Sequence, residues 1–118
     1  MKLDAGAGVR HKFDPQQVIA ITADINYSYV HLVNGSCLLR SRTLKWFSER
    51  WPTLLRIHKN ALINVEYIHH YSLITGKRPS GYVVMTNSLR LEVSRRNIKD
   101  VRDRMNQINQ NKPVRQSA

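Results

Sequence analysis

The dipeptide Asn34-Gly35 limits what this chain can fold into more than any other feature of the sequence. It separates two segments that read as strands, Tyr27–Val33 and Ser36–Arg42. Both turn residues tolerate positive φ, and Asn-Gly in that setting marks a β-hairpin. With Asn34 and Gly35 as the two turn residues, Val33 pairs with Ser36, Tyr29 faces Arg40 and Tyr27 faces Arg42. One face of the ribbon then shows Tyr27, Tyr29 and His31 beside Arg40 and Arg42, amphipathic and basic. The other shows Val30 and Leu32 beside Cys37 and Leu39, and is expected to be core.

Short elements fill the rest of the chain. Val18–Ile21 follows the turn signal Asp14-Pro15. Leu54–His58 and Ala61–Val65 read as a strand pair joined at a tight Lys59-Asn60 turn, and Tyr67–Thr75 leads through a turn over Gly76–Gly81 into Tyr82–Met85. Leu89, Leu91 and Val93 alternate with Arg90 and Glu92, as in a half-buried strand. Two helices are expected. Thr43 caps and Pro52 stops the first, over 43–51, with Leu44, Phe47 and Trp51 as its core stripe. Ile98, Val101, Met105 and Ile108, at steps of three and four, predict an amphipathic helix over about 95–110, with Ser94 as its cap. The fold class is therefore mainly β with two short-to-medium helices. Residues 1–12 read as a linker-like leader, 13–110 as one domain and 111–118 as a flexible tail.

Composition narrows the function classes. A chain of 118 residues with 42% apolar content suits one small folded domain. No run approaches the roughly 18 apolar residues of a membrane span, so no membrane partner is expected. The single cysteine, Cys37, excludes an internal disulfide and any multi-cysteine zinc site, and it reads as a small core residue. His11, His31, His58, His69 and His70 match no zinc spacing, and His69 and His70 would point to opposite faces of a strand. There is no glycine-rich phosphate loop and no nucleophile–base arrangement. The reading is a cytoplasmic domain with no catalytic site, metal or cofactor.

Charge points instead to a polyanionic partner. Nineteen Lys and Arg against eight Asp and Glu give +11, and the excess is shared between the halves: nine basic and four acidic residues in 1–60, ten and four in 61–118. A basic arm on a neutral body would give a lopsided count, so the charge belongs to the folded surface. The densest stretch runs from Arg40 to Lys59, through Arg42, Lys45, Arg50 and Arg56. A second holds Arg90, Arg95, Arg96, Lys99, Arg102 and Arg104.

Three places break local rules or project polar groups. Ser94-Arg95-Arg96 sets two cations at a helix N-terminus, where the dipole disfavours them. A phosphate would resolve that conflict, or a guanidinium could reach a guanine edge; an ion pair with a nearby acid is the alternative. Lys59-Asn60 projects two hydrogen-bonding groups from a hairpin tip. Asp24-Ile25-Asn26-Tyr27 forms a polar loop before the basic ribbon.

Four segments carry a family likeness: Ile21-Thr22-Ala23-Asp24-Ile25-Asn26-Tyr27, Ser41-Arg42-Thr43-Leu44, Arg56-Ile57-His58-Lys59-Asn60-Ala61-Leu62-Ile63-Asn64 and Val93-Ser94-Arg95-Arg96. From about Phe13 to Met105 the chain resembles the LytTR DNA-binding domain, the output domain of many bacterial two-component response regulators. Arg56, His58 and Asn64 are its most specific piece. The resemblance implies an elongated stack of small antiparallel sheets with short helices, and loops placed in successive major grooves on one face of a duplex. Carried over by position, Asn26, Tyr27, Lys59 and Arg96 would read bases. Ser28, His58, Asn60, Ser94 and Arg95 would support them or meet phosphates, as would Arg40, Arg42 and Lys45. The expected partner is double-stranded DNA, with dimers on tandem sites left open. A response regulator also carries a receiver domain, for which 118 residues leave no room; the linker-like start favours an excised output domain over a stand-alone member. Two other readings remain: an RNA-binding module stacking bases on Tyr27 and Tyr29, and a basic domain that meets an acidic protein.

Overall fold

Unbroken apolar runs and alternating ones mark different depths in this molecule. Val18-Ile19-Ala20-Ile21 and Ala61-Leu62-Ile63 are buried at every position, as expected of strands covered on both faces. They belong to β2 (Val18–Asp24) and β6 (Ala61–Ile63). Both lie inside a six-stranded sheet whose other members are β1 (Lys2–Asp4), β3 (Tyr27–Leu32), β4 (Ser36–Arg40) and β5 (Leu55–His58). The order is β1-β4-β3-β2-β6-β5. The pairings are antiparallel except β1 with β4, which is parallel, an addition to the antiparallel stack that was expected. A second sheet, β7-β8-β9, is formed by Ile68–Ile74, Ser80–Met85 and Arg90–Glu92. This computed structural model describes residues 2–4 and 14–111; the rest of the leader and of the tail lies outside the described residues.

Two helices complete the layers. α1 (Leu44–Arg50) covers one face of the large sheet, where Leu44 and Phe47 pack with Val18, Ile21, Val30, Leu38, Leu54 and Leu62. α2 (Ile98–Asn111) and the small sheet cover the other. There Ile98, Val101 and Met105 meet Ile19, Ile57, Ile63, Val83 and Met85. The stripe read from the sequence is thus the buried face of α2. The molecule is elongated, 45 × 30 × 24 Å, and mainly β with two sheets and two α-helices among the described residues. No described helix is long and apolar enough to cross a membrane.

Local chemistry fixes the joints. Thr43 caps α1 as expected, its hydroxyl accepting from the Trp46 N–H at 3.1 Å. Trp51 is the C-cap; it is half-buried, packs against the edge of the core beneath α1 and stacks on Phe47 at 5.6 Å. Short 3₁₀ turns at Pro15–Gln17, Val65–Tyr67 and Arg95–Asn97 went unforeseen, and the last of them begins the C-terminal helix. Gly81 was expected in a turn but lies in β8. An added Cβ there would sit 2.6 Å from the Ser72 carbonyl oxygen and 3.0 Å from Ile98 Cδ1, so the close approach of β7 and α2 requires glycine.

The hairpin register differs from the expected one by a residue. Tyr29 pairs with Leu39, Val30 with Leu38 and Ser28 with Arg40, because the loop has three residues, Val33, Asn34 and Gly35. Gly35 alone takes positive φ (+88°), the arrangement of a type I turn closed by a left-handed glycine. That single step moves Arg40 and Leu38 to the Val30 side, and Leu39 and Cys37 to the side of Tyr29 and His31. Cys37 is still buried, and burial pushes its thiol pKa up. A second correction concerns His69 and His70. A β-bulge between Ile68 and His70 brings their Nδ1 atoms within 2.9 Å instead of sending the rings to opposite faces.

Candidate nucleic-acid interface

Three connections converge at one end of the large sheet. The first is the β2–β3 turn. Asp24 and Tyr27 form the last strand pair, so Ile25 and Asn26 are the two turn residues, and Asp24 Oδ1 accepts from the Ile25 N–H at 2.8 Å. The second is the β4–α1 connection, Ser41 to Thr43. The third is the β5–β6 turn, where His58 pairs with Ala61 around Lys59 and Asn60. Together they line a broad concavity of about 640 Å³, whose walls include Ile25, Asn26, Tyr27, Arg42, Lys45, Arg56 and Lys59. Four cations and the single carboxylate of Asp24 give its wall a clear positive excess.

Hydrogen bonds hold these connections in place. The Ala23 N–H donates to the Asn60 carbonyl at 2.9 Å, tying the first turn to the third. The Asn60 N–H donates to His58 Nδ1 at 3.1 Å, so His58, half-buried, closes the turn and leaves Lys59 exposed at its tip. Ser28 is buried, 1% exposed, and its hydroxyl donates to the Arg42 carbonyl at 2.5 Å. It anchors the second connection and faces no solvent. Asn64, the last residue of the most specific sequence segment, caps the 3₁₀ turn through the Glu66 N–H at 3.0 Å and donates its own N–H to Ile19.

The cations differ in how much they are engaged. Lys45 and Lys59 are exposed and make no ion pair among the described residues. The Arg42 guanidinium lies 4.9 Å from the Trp46 ring centroid, a cation–π contact that aims it without neutralising it. Arg40 is half-buried beside Ser28, outside the concavity, and its Nη1 donates to the Leu39 carbonyl at 2.8 Å. Arg56 is a residue that sequence reasoning passed over as a contact. It lines the concavity, and its buried Nε meets no acceptor among the described residues. A buried guanidinium donor without an acceptor costs free energy until an anion supplies one.

Ser94, Arg95 and Arg96 lie outside this concavity but are tethered close to it. The Ser94 N–H donates to the Ile57 carbonyl at 2.9 Å. Two residues on either side of that bond, at 3.8 Å each, put Lys59 and Arg96 within about 20 Å of one another. The Ser94 hydroxyl caps no backbone N–H and instead accepts from Asn97 Nδ2 at 2.7 Å. Arg95 and Arg96 are exposed and make no ion pair among the described residues. Arg95 and Arg96 therefore stay without an acidic partner among the described residues, although Asp100 stands in the first turn of α2.

Comparison with known proteins agrees with this geometry. Residues 9–106 match the family described as the LytTr DNA-binding domain. Among solved structures, the chain is similar to the LytTr DNA-binding domain of a methyl-accepting/DNA response regulator from Bacillus cereus. The TM-score is 0.64 at 20% identity, over 76% of this chain and 82% of that one, a likeness of fold. No curated protein matches the chain.

Proposed function

The chain belongs to the LytTR family of DNA-binding domains, and from that premise we propose that it reads specific duplex sequences in bacterial transcription regulation, as the output domain of a response regulator. The observation that carries this reading is the convergence of three turns on a concave wall with four cations and one carboxylate, beside a helix start whose two arginines make no ion pair among the described residues. Long basic surfaces bind phosphates; specificity comes from side chains on rigid tips that reach base edges. Asn26, Tyr27, Lys59 and Arg96 are the tips in this reading. Arg42, Lys45, Arg56 and Arg95 meet phosphates, with Arg40 set back beside them. His58, Asn60, Ser94 and Ser28 hold these groups in position. The unit spans 13–110 and works in the cytoplasm, where its DNA is.

The placement of the tips favours loops over one inserted helix: Asn26, Tyr27 and Lys59 line one concavity, and Arg96 lies within about 20 Å of Lys59. The candidate base-reading side chains sit on turns and at a 3₁₀ start, not on α2. The register gives less support to the RNA-platform reading, because Leu39 and Cys37, not Arg40, lie opposite Tyr29 and His31. Selection of bound duplexes from a random pool tests the proposal. A recovered consensus supports it, and its half-site spacing reports whether dimers form on tandem sites. Equal recovery of all sequences would refute sequence-specific reading.

A further inference from the structure

Ile25 is 93% exposed, far more than any other large apolar residue described; Ile74 follows at 57%. A lone exposed isoleucine is ordinary on a protein surface. This one differs in three respects. It occupies a two-residue hairpin tip whose backbone is fixed by Asp24 Oδ1. The strand behind it is tied to the Lys59 turn through the Ala23–Asn60 hydrogen bond. It also stands on the wall of the cationic concavity, beside Asn26. A polar residue at this tip would serve a solvated turn better, and the apolar side chain suits an apolar projection on an otherwise polar ligand.

Resting on the duplex-DNA reading above, we infer that Ile25 is a specificity-determining residue that packs against the 5-methyl group of a thymine in the major groove. The base edges in that groove present hydrogen-bond donors and acceptors, with the thymine methyl as the one apolar projection. Neighbouring Asn26 is of the type that bonds an adenine edge through N6 and N7, so the tip as a whole suits an A·T-containing step. Apolar residues can also enter DNA as wedges between base steps from the minor groove. Such a wedge would not sense the methyl, which lies on the opposite side of the pair. A protein partner on Ile25 would ignore it as well.

The test uses the full chain and a duplex recovered by random-pool selection, resynthesised with deoxyuridine in place of each thymidine in turn. Uracil pairs as thymine does and lacks only the methyl. At one position the substitution is expected to weaken binding about fourfold, the worth of burying one methyl-sized group. Ile25→Ala is expected to bind the thymine and uracil duplexes alike at that position, and its high exposure leaves folding undisturbed. The inference is overturned if no position responds to the methyl, or if Ile25→Ala leaves the fourfold difference intact. A chain that selects no duplex would overturn the DNA reading itself. One that selects a duplex but is blind to the methyl overturns this inference alone.

Discussion

The outer face of the three-stranded sheet carries one strand arginine and the loop end of the six-stranded sheet several cations, and the two regions use them differently. On the outer sheet Arg90 lies 3.8 Å over the Tyr82 ring and places Nε 3.3 Å from Glu92. The pair is exposed and adds little to stability, yet it leaves Arg90 with partners of its own. At the loop end Lys45, Lys59, Arg95 and Arg96 make no ion pair among the described residues, and Arg56 buries a donor without an acceptor. The outer face balances its arginine with a carboxylate, whereas the loop-end wall sets four cations against one. The outer-face arginine is satisfied by its own neighbours, whereas the loop-end cations are left available to an anion.

If the division is real, the layered body should carry stability and the loop end should carry affinity. Phe47 is the strongest probe of the body: it is 1% exposed and packs between the large sheet and the two tryptophans. Phe47→Ala is expected to cost about 3–5 kcal/mol of folding free energy, from lost transfer and an unfilled cavity. Chemical denaturation measures it. DNA affinity per folded molecule should be unchanged. A weaker Kd for the folded fraction would show that the buried side of α1, and not only its Lys45 end, communicates with the loop end, and the comparison would break.

The body was also the more legible part of the sequence. Helix stripes, unbroken apolar runs and caps depend on neighbours within a turn or two, and Thr43, Phe47, Ile98 and Val101 follow directly from spacing. What depended on one residue of register did not follow. Asn34-Gly35 is compatible with either a two- or a three-residue loop, and the choice moved Arg40 to the Val30 side of the hairpin. The bulge at Ile68–His70 is invisible to a period-two reading, and so is the burial of Ser28 under the Arg42 carbonyl. At the candidate interface, the tips at Lys59-Asn60 and Asp24–Tyr27 were visible as turn chemistry. The role of Arg56 was not, because only tertiary packing shows that its Nε is enclosed. A strand arginine two residues before a histidine and three before a turn lysine was the available signal.

Within the loop end, two arginines separate specificity from adhesion. Arg96→Ala is expected to cost about 1–3 kcal/mol on the selected duplex and far less on random DNA, the worth of a bidentate base contact. Arg42→Ala should instead weaken both duplexes about equally and flatten the dependence of log K on log salt by about one unit, as a phosphate contact does. Titrations on both duplexes over a salt series measure the two together. Neither change should move the denaturation midpoint much, since both side chains are exposed. Equal losses from Arg96→Ala on both duplexes would reassign that residue to the phosphates.

The smallest effect belongs to the body and concerns pH. His31 is half-buried in β3, opposite Ala20 and Cys37, with Nε2 3.0 Å from the Thr22 hydroxyl. Burial lowers its pKa below the ordinary 6.5, so the folded state prefers the neutral ring. The unfolded chain takes up a proton near pH 6.5, while the folded one resists until lower pH. Between those two values the unfolded state holds more protons, and stability falls as pH is lowered through the window. Above it His31 contributes no pH dependence. Urea midpoints at about pH 7.5 and 5.5 should therefore differ more in the native chain than in His31→Gln, because carboxylates titrate mostly below that range. If His31→Gln keeps the full slope, the burial of this ring is not the source of the pH sensitivity, and the His31–Thr22 pair contributes to the sheet only as packing and a neutral hydrogen bond.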